Sequence, residues 1–284
     1  MIFKYHVTES TTLKTFLYEQ QFSKKTLSAI KQDGALLVNG TARTVRYSLQ
    51  VGDILEVHLP TELPSSYLEP YDAPLNILYE DTWLLIVAKP SHQNAAPSRE
   101  HPHESLVEQA LAHMQKRGER GIPHIVTRLD RNTMGIVIIA KSRHMHHLMN
   151  QCDIKKYYEC ICEGVLTAKG EIDQPIARAS DSIINRIVSE QGKRARTIYW
   201  PLKNFKTYTW CRVKLETGRT HQIRVHFQWL GAPLVGDTLY GQAHHTYQTQ
   251  LLKCAEVRFV HPLTQEQLTI KNEQPHFEQL LTTL

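Results

Sequence analysis

The sequence predicts an α+β protein: a large domain built on a mixed, largely antiparallel sheet, preceded by a small α+β unit. From residue 77 onward, segments with strand-like alternation outnumber helical patterns and do not alternate with them one for one, which argues against a doubly wound parallel sheet. An acidic, proline-punctuated stretch at 61–75 separates two regions of unequal length. At 284 residues and 41% apolar content, the chain can bury one large core and one smaller one.

Residues 1–60 read as a unit. Leu13, Phe16 and Leu17 fall at helical spacing, and Leu27 and Ile30 repeat it after Ser23-Lys24-Lys25-Thr26. Gly34 ends the second helix, and 35–40 runs as a strand into an Asn39-Gly40 turn. After a Gly52-Asp53 turn, the segment closes with an alternating strand to Val57. Two helices followed by short strands, with Lys24, Lys25, Arg43 and Arg46 as available bases, resemble the alpha-L RNA-binding module of ribosomal proteins. The alternative is a capping unit without RNA contact. Pro60, Pro64, Pro70 and Pro74 then forbid a helix or central strand, so 61–75 is read as an extended linker.

The larger domain spans 76–284. Residues 77–90 give two strands about a Glu80-Asp81 turn, and Pro90 stops the second. Leu106, Val107, Ala110, Leu111 and Met114 share a helix face within 103–117, which Gly118 ends. An apolar strand follows at 136–140, and Ser142 caps a helix to about Cys152. Residues 155–164 and 210–216 alternate as strands on either side of a basic turn at 192–197. The segment 217–227 opens as a turn and becomes a helix, and the Gly231-Ala232-Pro233 and Gly236-Asp237 breaks end that region.

Composition removes several classes of function. The five cysteines contain no Cys-x-x-Cys pair, so neither a zinc ribbon nor a disulfide framework fits; Cys160 and Cys162 point the same way from one strand, as packing residues do. The sixteen histidines include no His-Glu-x-x-His pattern, and no metal site is expected. The first residues lack the apolar core of a signal peptide, and no apolar run approaches the roughly 18 residues of a membrane span. A soluble, cytoplasmic monomer is the expectation. Net charge is +5, and residues 81–284 carry 26 bases against 19 acids. This excess favours a polyanionic partner, RNA first.

Chemistry concentrates at Thr127-Arg128-Leu129-Asp130-Arg131-Asn132-Thr133-Met134-Gly135, where one acid lies between two arginines in a turn. Nearby guanidiniums favour the ionised form of a carboxylate, which suits a nucleophile, a general base or a plain surface ion pair. The surrounding motifs decide among these. Residues 77–264 resemble the catalytic domain of the RluA-type RNA pseudouridine synthases. The resemblance rests on Arg128-Leu129-Asp130-x-x-Thr133-x-Gly135, on Lys156-x-Tyr158 ending in Gly164, and on Gly218-Arg219-Thr220-His221-Gln222-Ile223-Arg224-Val225-His226. Gly231-x-Pro233 and Gly236-Asp237-x-x-Tyr240-Gly241 complete it, with a weaker echo at Lys89-Pro90.

The resemblance implies the pseudouridine synthase fold and a cofactor-free isomerisation of uridine in structured RNA, with ribosomal RNA ahead of transfer RNA as the target. It makes Asp130 the essential carboxylate and Arg219 its guanidinium partner. Tyr158 and Ile223 become the walls of the base pocket, and Arg128 the side chain that enters the space a flipped base vacates. Arg224 and Lys141 are available to phosphates, whereas His221 and Gln222 read as structural hydrogen-bonders. Two positions depart from the family pattern: Thr127 stands where histidine is usual, and Met134 where serine or threonine is usual. The segment after Pro90, Ser-His-Gln-Asn-Ala-Ala, also lacks the usual glycine and histidine. These departures support the rival reading, a non-catalytic RNA-binding or ribosome-assembly protein on the same fold.

Overall fold

The structure is a computed structural model that describes residues 1–284. It begins with β1 (Ile2–His6), β2 (Thr11–Thr12), α1 (Leu13–Glu19), α2 (Lys24–Asp33), β3 (Ala35–Val38), β4 (Thr41–Ala42), β5 (Ser48–Leu49) and β6 (Ile54–His58). Thr12 and Ser23 cap the two helices by accepting from the amides of Thr15 and Thr26. The sheet runs β1-β6-β3-β4, and apolar residues of α1, α2 and the strands bury one another together with Phe22 from the turn between the helices. Strand β1, absent from the sequence reading, pairs antiparallel with β6 over its whole length. Asn39 and Gly40 turn at positive φ (50° and 77°), as an Asn-Gly hairpin requires.

The second region contains β7 (Ile77–Glu80), β8 (Leu84–Lys89), α3 (Leu106–Lys116), β9 (His124–Ile125), β10 (Met134–Ala140), α4 (Arg143–Met149) and β11 (Lys155–Glu163). It continues with β12 (Gly170–Asp173), β13 (Ile176–Arg178), β14 (Arg186–Val188), β15 (Arg196–Phe205) and β16 (Tyr208–Leu215). Helix α5 (Gln222–Trp229), β17 (Leu252–Val260), β18 (Gln267–Lys271) and α6 (Phe277–Thr282) complete the chain. The main sheet runs β12-β15-β16-β11-β17-β10-β8-β7, with β18 on β17 and β9 on β10. Its only parallel pair is β10 with β17, so the sheet is mixed and largely antiparallel. No helix is long and apolar enough to cross a membrane.

The interior of β10 has no accessible surface from Ile136 to Ala140, and β8 beside it is equally dry from Leu84 to Val87. An unbroken apolar run therefore marks the centre of this sheet. Cys160, Cys162 and Cys211 are free, buried thiols, Cys160 directly opposite Cys211 on neighbouring strands. Helix α4 ends at Met149, short of the expected Cys152; Ser142 caps it by accepting from Met145 N. Lys141 departs from expectation. It is buried, with Nζ 2.7 Å from Glu80 and 3.0 Å from Glu119, and so is not available to a phosphate. Three adjacent sheet strands position the site: β10 follows the Asp130 turn, β11 carries Tyr158, and β17 lies between them.

Candidate active site

A cleft of about 340 Å³ opens where the 126–133 turn, β11 and the loop entering α5 converge. Asp130, Arg128, Tyr158, Arg219 and Ile223 all border it, and Asp130 is its only acidic residue. The turn is fixed from behind. Thr133 N donates to Asp130 O at 3.0 Å, and Ser91 Oγ donates to Asn132 O at 2.9 Å. Lys89, 1% exposed, donates from Nζ to the carbonyls of Pro90, Gln93 and Arg131 at 2.8–3.0 Å. Burial pushes the Lys89 pKa down to about 7, against the pull of the Asp130 charge. Gly135 completes the support at φ +113°: a Cβ there would lie 2.3 Å from Cys254 O, so only glycine admits β17 this close.

The partners of Asp130 differ from the expected ones. Neither flanking arginine reaches the carboxylate; both Arg128 and Arg131 are exposed, because neighbouring residues of a turn diverge. Arg219 does not pair with it either. Its Nε donates to Arg194 O at 3.0 Å, which holds the side chain at the cleft rim. The guanidinium that faces Asp130 is Arg224, with Nη1 3.8 Å from Oδ2, and His221 Nε2 lies 3.7 Å from the same oxygen. The reason is helical phase. His221 is the N-cap of α5 and Arg224 follows three residues later, on the same face.

Arg224 is not a phosphate ligand. Its Nε and Nη2 form a bidentate pair with the fully buried Asp237, both bonds 2.7 Å, and its Cζ lies 4.9 Å from the Tyr240 ring centre. Burial opposes its charge, but Asp237 more than offsets this, and the Arg224 pKa is raised. A fixed positive charge therefore stands behind Asp130. Burial lowers the His221 pKa despite the Asp130 charge, which favours a neutral ring. Tyr240 Oη accepts from Arg186 N at 2.9 Å and stands 2.8 Å from His221 Nδ1. With the phenol donating to Nδ1, the imidazole proton sits on Nε2, the nitrogen that faces Asp130. His221, read from sequence as structural, belongs to the site. Gln222 is structural as expected: it accepts from Thr217 Oγ1 and Arg219 N and donates to Arg196 O and Thr197 Oγ1.

Tyr158 is 6% exposed, and burial raises its phenol pKa well above the ordinary value, so it is neutral at physiological pH. Ile223 is 3% exposed and shares the core of Tyr158. Lys156, two residues before Tyr158, adds a further base to the lining. The sequence signals for the unforeseen residues were present. Gly-Asp-x-x-Tyr holds the counter-ion and the phenol behind Arg224 and His221, and the i, i+3 spacing puts those two on one face. A larger cleft, about 540 Å³, lies where residues 1 and 59–62 meet the β7–β8 turn and the end of α3. Glu62, Glu80, Glu119 and Lys141 there are already committed to mutual or backbone partners, so the smaller cleft is the stronger candidate.

A single carboxylate, bordered by basic side chains and an uncharged phenol, marks this cleft as the candidate site for acid–base or nucleophilic chemistry. The RNA pseudouridylate synthase family matches residues 83–229. An uncharacterized RNA pseudouridine synthase of Bacillus subtilis is 41% identical over 263 residues, 90% of this chain and 93% of that one. The ribosomal large subunit pseudouridine synthase D of Vibrio cholerae is 33% identical over 266 residues, 87% of this chain and 82% of that one. The human RNA pseudouridylate synthase domain containing 1 shares the fold, with a TM-score of 0.62 at 22% identity over 77% of this chain and 89% of that one. The chain belongs to the RluA-type RNA pseudouridine synthases, which are isomerases.

Proposed function

We propose that this enzyme converts specific uridines of structured ribosomal RNA, in the large subunit, to pseudouridine, with Asp130 as the essential carboxylate and without a cofactor. The observation that carries the reading is the isolation of Asp130: one carboxylate in a cleft otherwise bordered by basic, uncharged polar, aromatic and aliphatic side chains. The name of the Vibrio cholerae relative supports the large ribosomal subunit as target. The reaction breaks the uracil glycosidic bond, turns the base and rejoins it through carbon. Since it involves no net redox change and no phosphoryl transfer, it needs no cofactor.

A base inside structured RNA must leave its stack first, at a cost of a few kcal/mol. Tyr158 and Ile223 form the apolar walls that receive it, and Arg128 enters the vacated space as a planar, stacking cation. Arg219 and Lys156 meet the backbone phosphates at the rim. Asp130 then attacks the sugar, attacks the base or removes a sugar proton. All three routes need it ionised and close. Arg224 stands 3.8 Å from it as a fixed positive charge, while Asp237 holds Arg224 back from the carboxylate. Residues 1–60 act as the RNA-binding module, 61–75 as the linker and 76–284 as the catalytic domain, in a cytoplasmic monomer.

Asp130→Asn tests the reading. The variant is expected to leave no pseudouridine at the mapped site while binding the RNA within about twofold of the wild type. Continued modification would sink the assignment.

A further inference from the structure

His144 is the second residue of α4, on the catalytic side of the chain, and is 1% exposed. Its ring enters the core of the N-terminal unit. It stacks on Phe22 with centroids 3.9 Å apart and planes at 13°, and it meets Phe3 edge-on at 5.1 Å. Both ring nitrogens are buried without a hydrogen-bond partner. Buried polar groups are normally paired, so the imidazole serves here as a flat aromatic plug. Trp83 and Leu263 pack against the same N-terminal cluster. One residue earlier in α4, Arg143 N donates at 2.8 Å to Glu62 in the connecting segment, and Glu62 also lies 2.7 Å from His124 Nε2. The first turn of α4 thus holds both the unit and its connector.

We propose that His144 is a specificity-determining positioning residue: it locks the N-terminal unit at one fixed placement relative to the Asp130 cleft, so that an RNA must engage both together. The inference rests on the reading of residues 1–60 as RNA-binding. A free connector of the length of 61–75 would let its ends wander over a distance on the order of 20 Å, and one undocked unit could then serve many RNA shapes. The docked unit cannot. Strand β10 is the rod between the two sites, with the Asp130 turn before Met134 and α4 after Ala140. At about 3.3 Å per residue its seven residues span roughly 20 Å through the driest part of the sheet. Exposed Lys24 and Lys25 follow Phe22 by two and three residues, so the stack on His144 also sets where those charges stand.

The test uses the full chain with His144→Phe and His144→Asp, and with His144→Ala should the aspartate variant not fold. Small-angle scattering reports docking. Activity is measured on ribosomal RNA from cells lacking the enzyme, and on a short hairpin cut around the mapped uridine that reaches only the cleft. The phenylalanine variant keeps the stack and is expected to match the wild type in shape and on both RNAs. The disrupting variant is expected to expand, to lose at least tenfold in kcat/KM on the long RNA, and to stay within twofold on the hairpin. A disrupting variant that remains compact, or one that expands yet keeps its rate on the long RNA or loses equally on both, overturns the proposal. A wild type that modifies neither RNA would instead overturn the functional reading above.

Discussion

Asp237→Asn separates the two duties of the buried arginine. The Asp237 carboxylate is fully buried, accepts both 2.7 Å bonds from Arg224, and accepts the amides of Leu239 and Tyr240 at 3.1 Å. Asparagine keeps one oxygen for those amides but sets an NH₂ group against the Arg224 Nε proton and removes the counter-charge. Arg224 is only 9% exposed at its side chain, and its nearest remaining carboxylate is Asp130 at 3.8 Å. Breaking one side of a buried pair costs about 3–5 kcal/mol, and that is the loss of stability expected in urea denaturation at an unchanged m-value. The freed guanidinium also closes on Asp130 and ties it up, so kcat is expected to fall at least tenfold. The double change Arg224→Met with Asp237→Leu removes both charges, and replacing a buried pair by apolar groups is often neutral or stabilising. That variant is expected to regain stability within about 1 kcal/mol while remaining inactive. A single variant as stable as the wild type, or an active double variant, refutes this account of Arg224.

Three further outcomes follow from the geometry. The buried, neutral Tyr158 phenol is placed to donate or relay a proton to the turned base, so Tyr158→Phe is expected to bind RNA within about twofold but to lose at least tenfold in kcat; an unchanged rate would reduce the tyrosine to a stacking surface. Burial holds the His144 pKa at about 4 against an ordinary 6.5, so the unfolded chain takes up the proton first. Stability therefore falls as pH drops from about 6.5 to about 4, by roughly 3 kcal/mol in all. Denaturation of His144→Phe across that window should lack this part of the slope, and parallel curves for the two proteins would contradict it. Thr127→His is expected to change which uridines are modified, whereas Met134→Thr is not, as read by pseudouridine mapping in cells carrying each variant.

Where structure follows from local chemistry, the sequence was legible. Ser142 acts as a cap, Asn39-Gly40 as a turn, and the dry run 136–140 as a central strand, because caps, turns and burial are decided by neighbours within a few residues. The parallel pairing of Gly135 with Cys254 was not legible, since the strands lie more than a hundred residues apart and nothing local reports their contact. The choice between Arg219 and Arg224 failed for a related reason. Both sit in the same 218–226 motif, but the turn of α5 and the distant Asp237 decide which guanidinium faces the carboxylate. His221 was undervalued because its ring is aimed by Tyr240, itself held by Arg186 from yet another segment.

The two departures from the family pattern carry unequal weight once their surroundings are known. Met134 lies outside the cleft lining and packs against the cluster of Phe277 and Leu281. A change of side chain there reaches the substrate only through the backbone. Thr127 borders the cleft, is 7% exposed, and accepts the Ile138 amide at 3.0 Å through its hydroxyl, while its own amide donates to Ile138 O at 3.3 Å. It joins the Asp130 turn to β10 with a side chain shorter than an imidazole. Neither departure removes a group that Asp130, Arg224 or Tyr158 relies on. Neither departure therefore weakens the chemistry proposed for Asp130, and neither supports a fold retained only for binding.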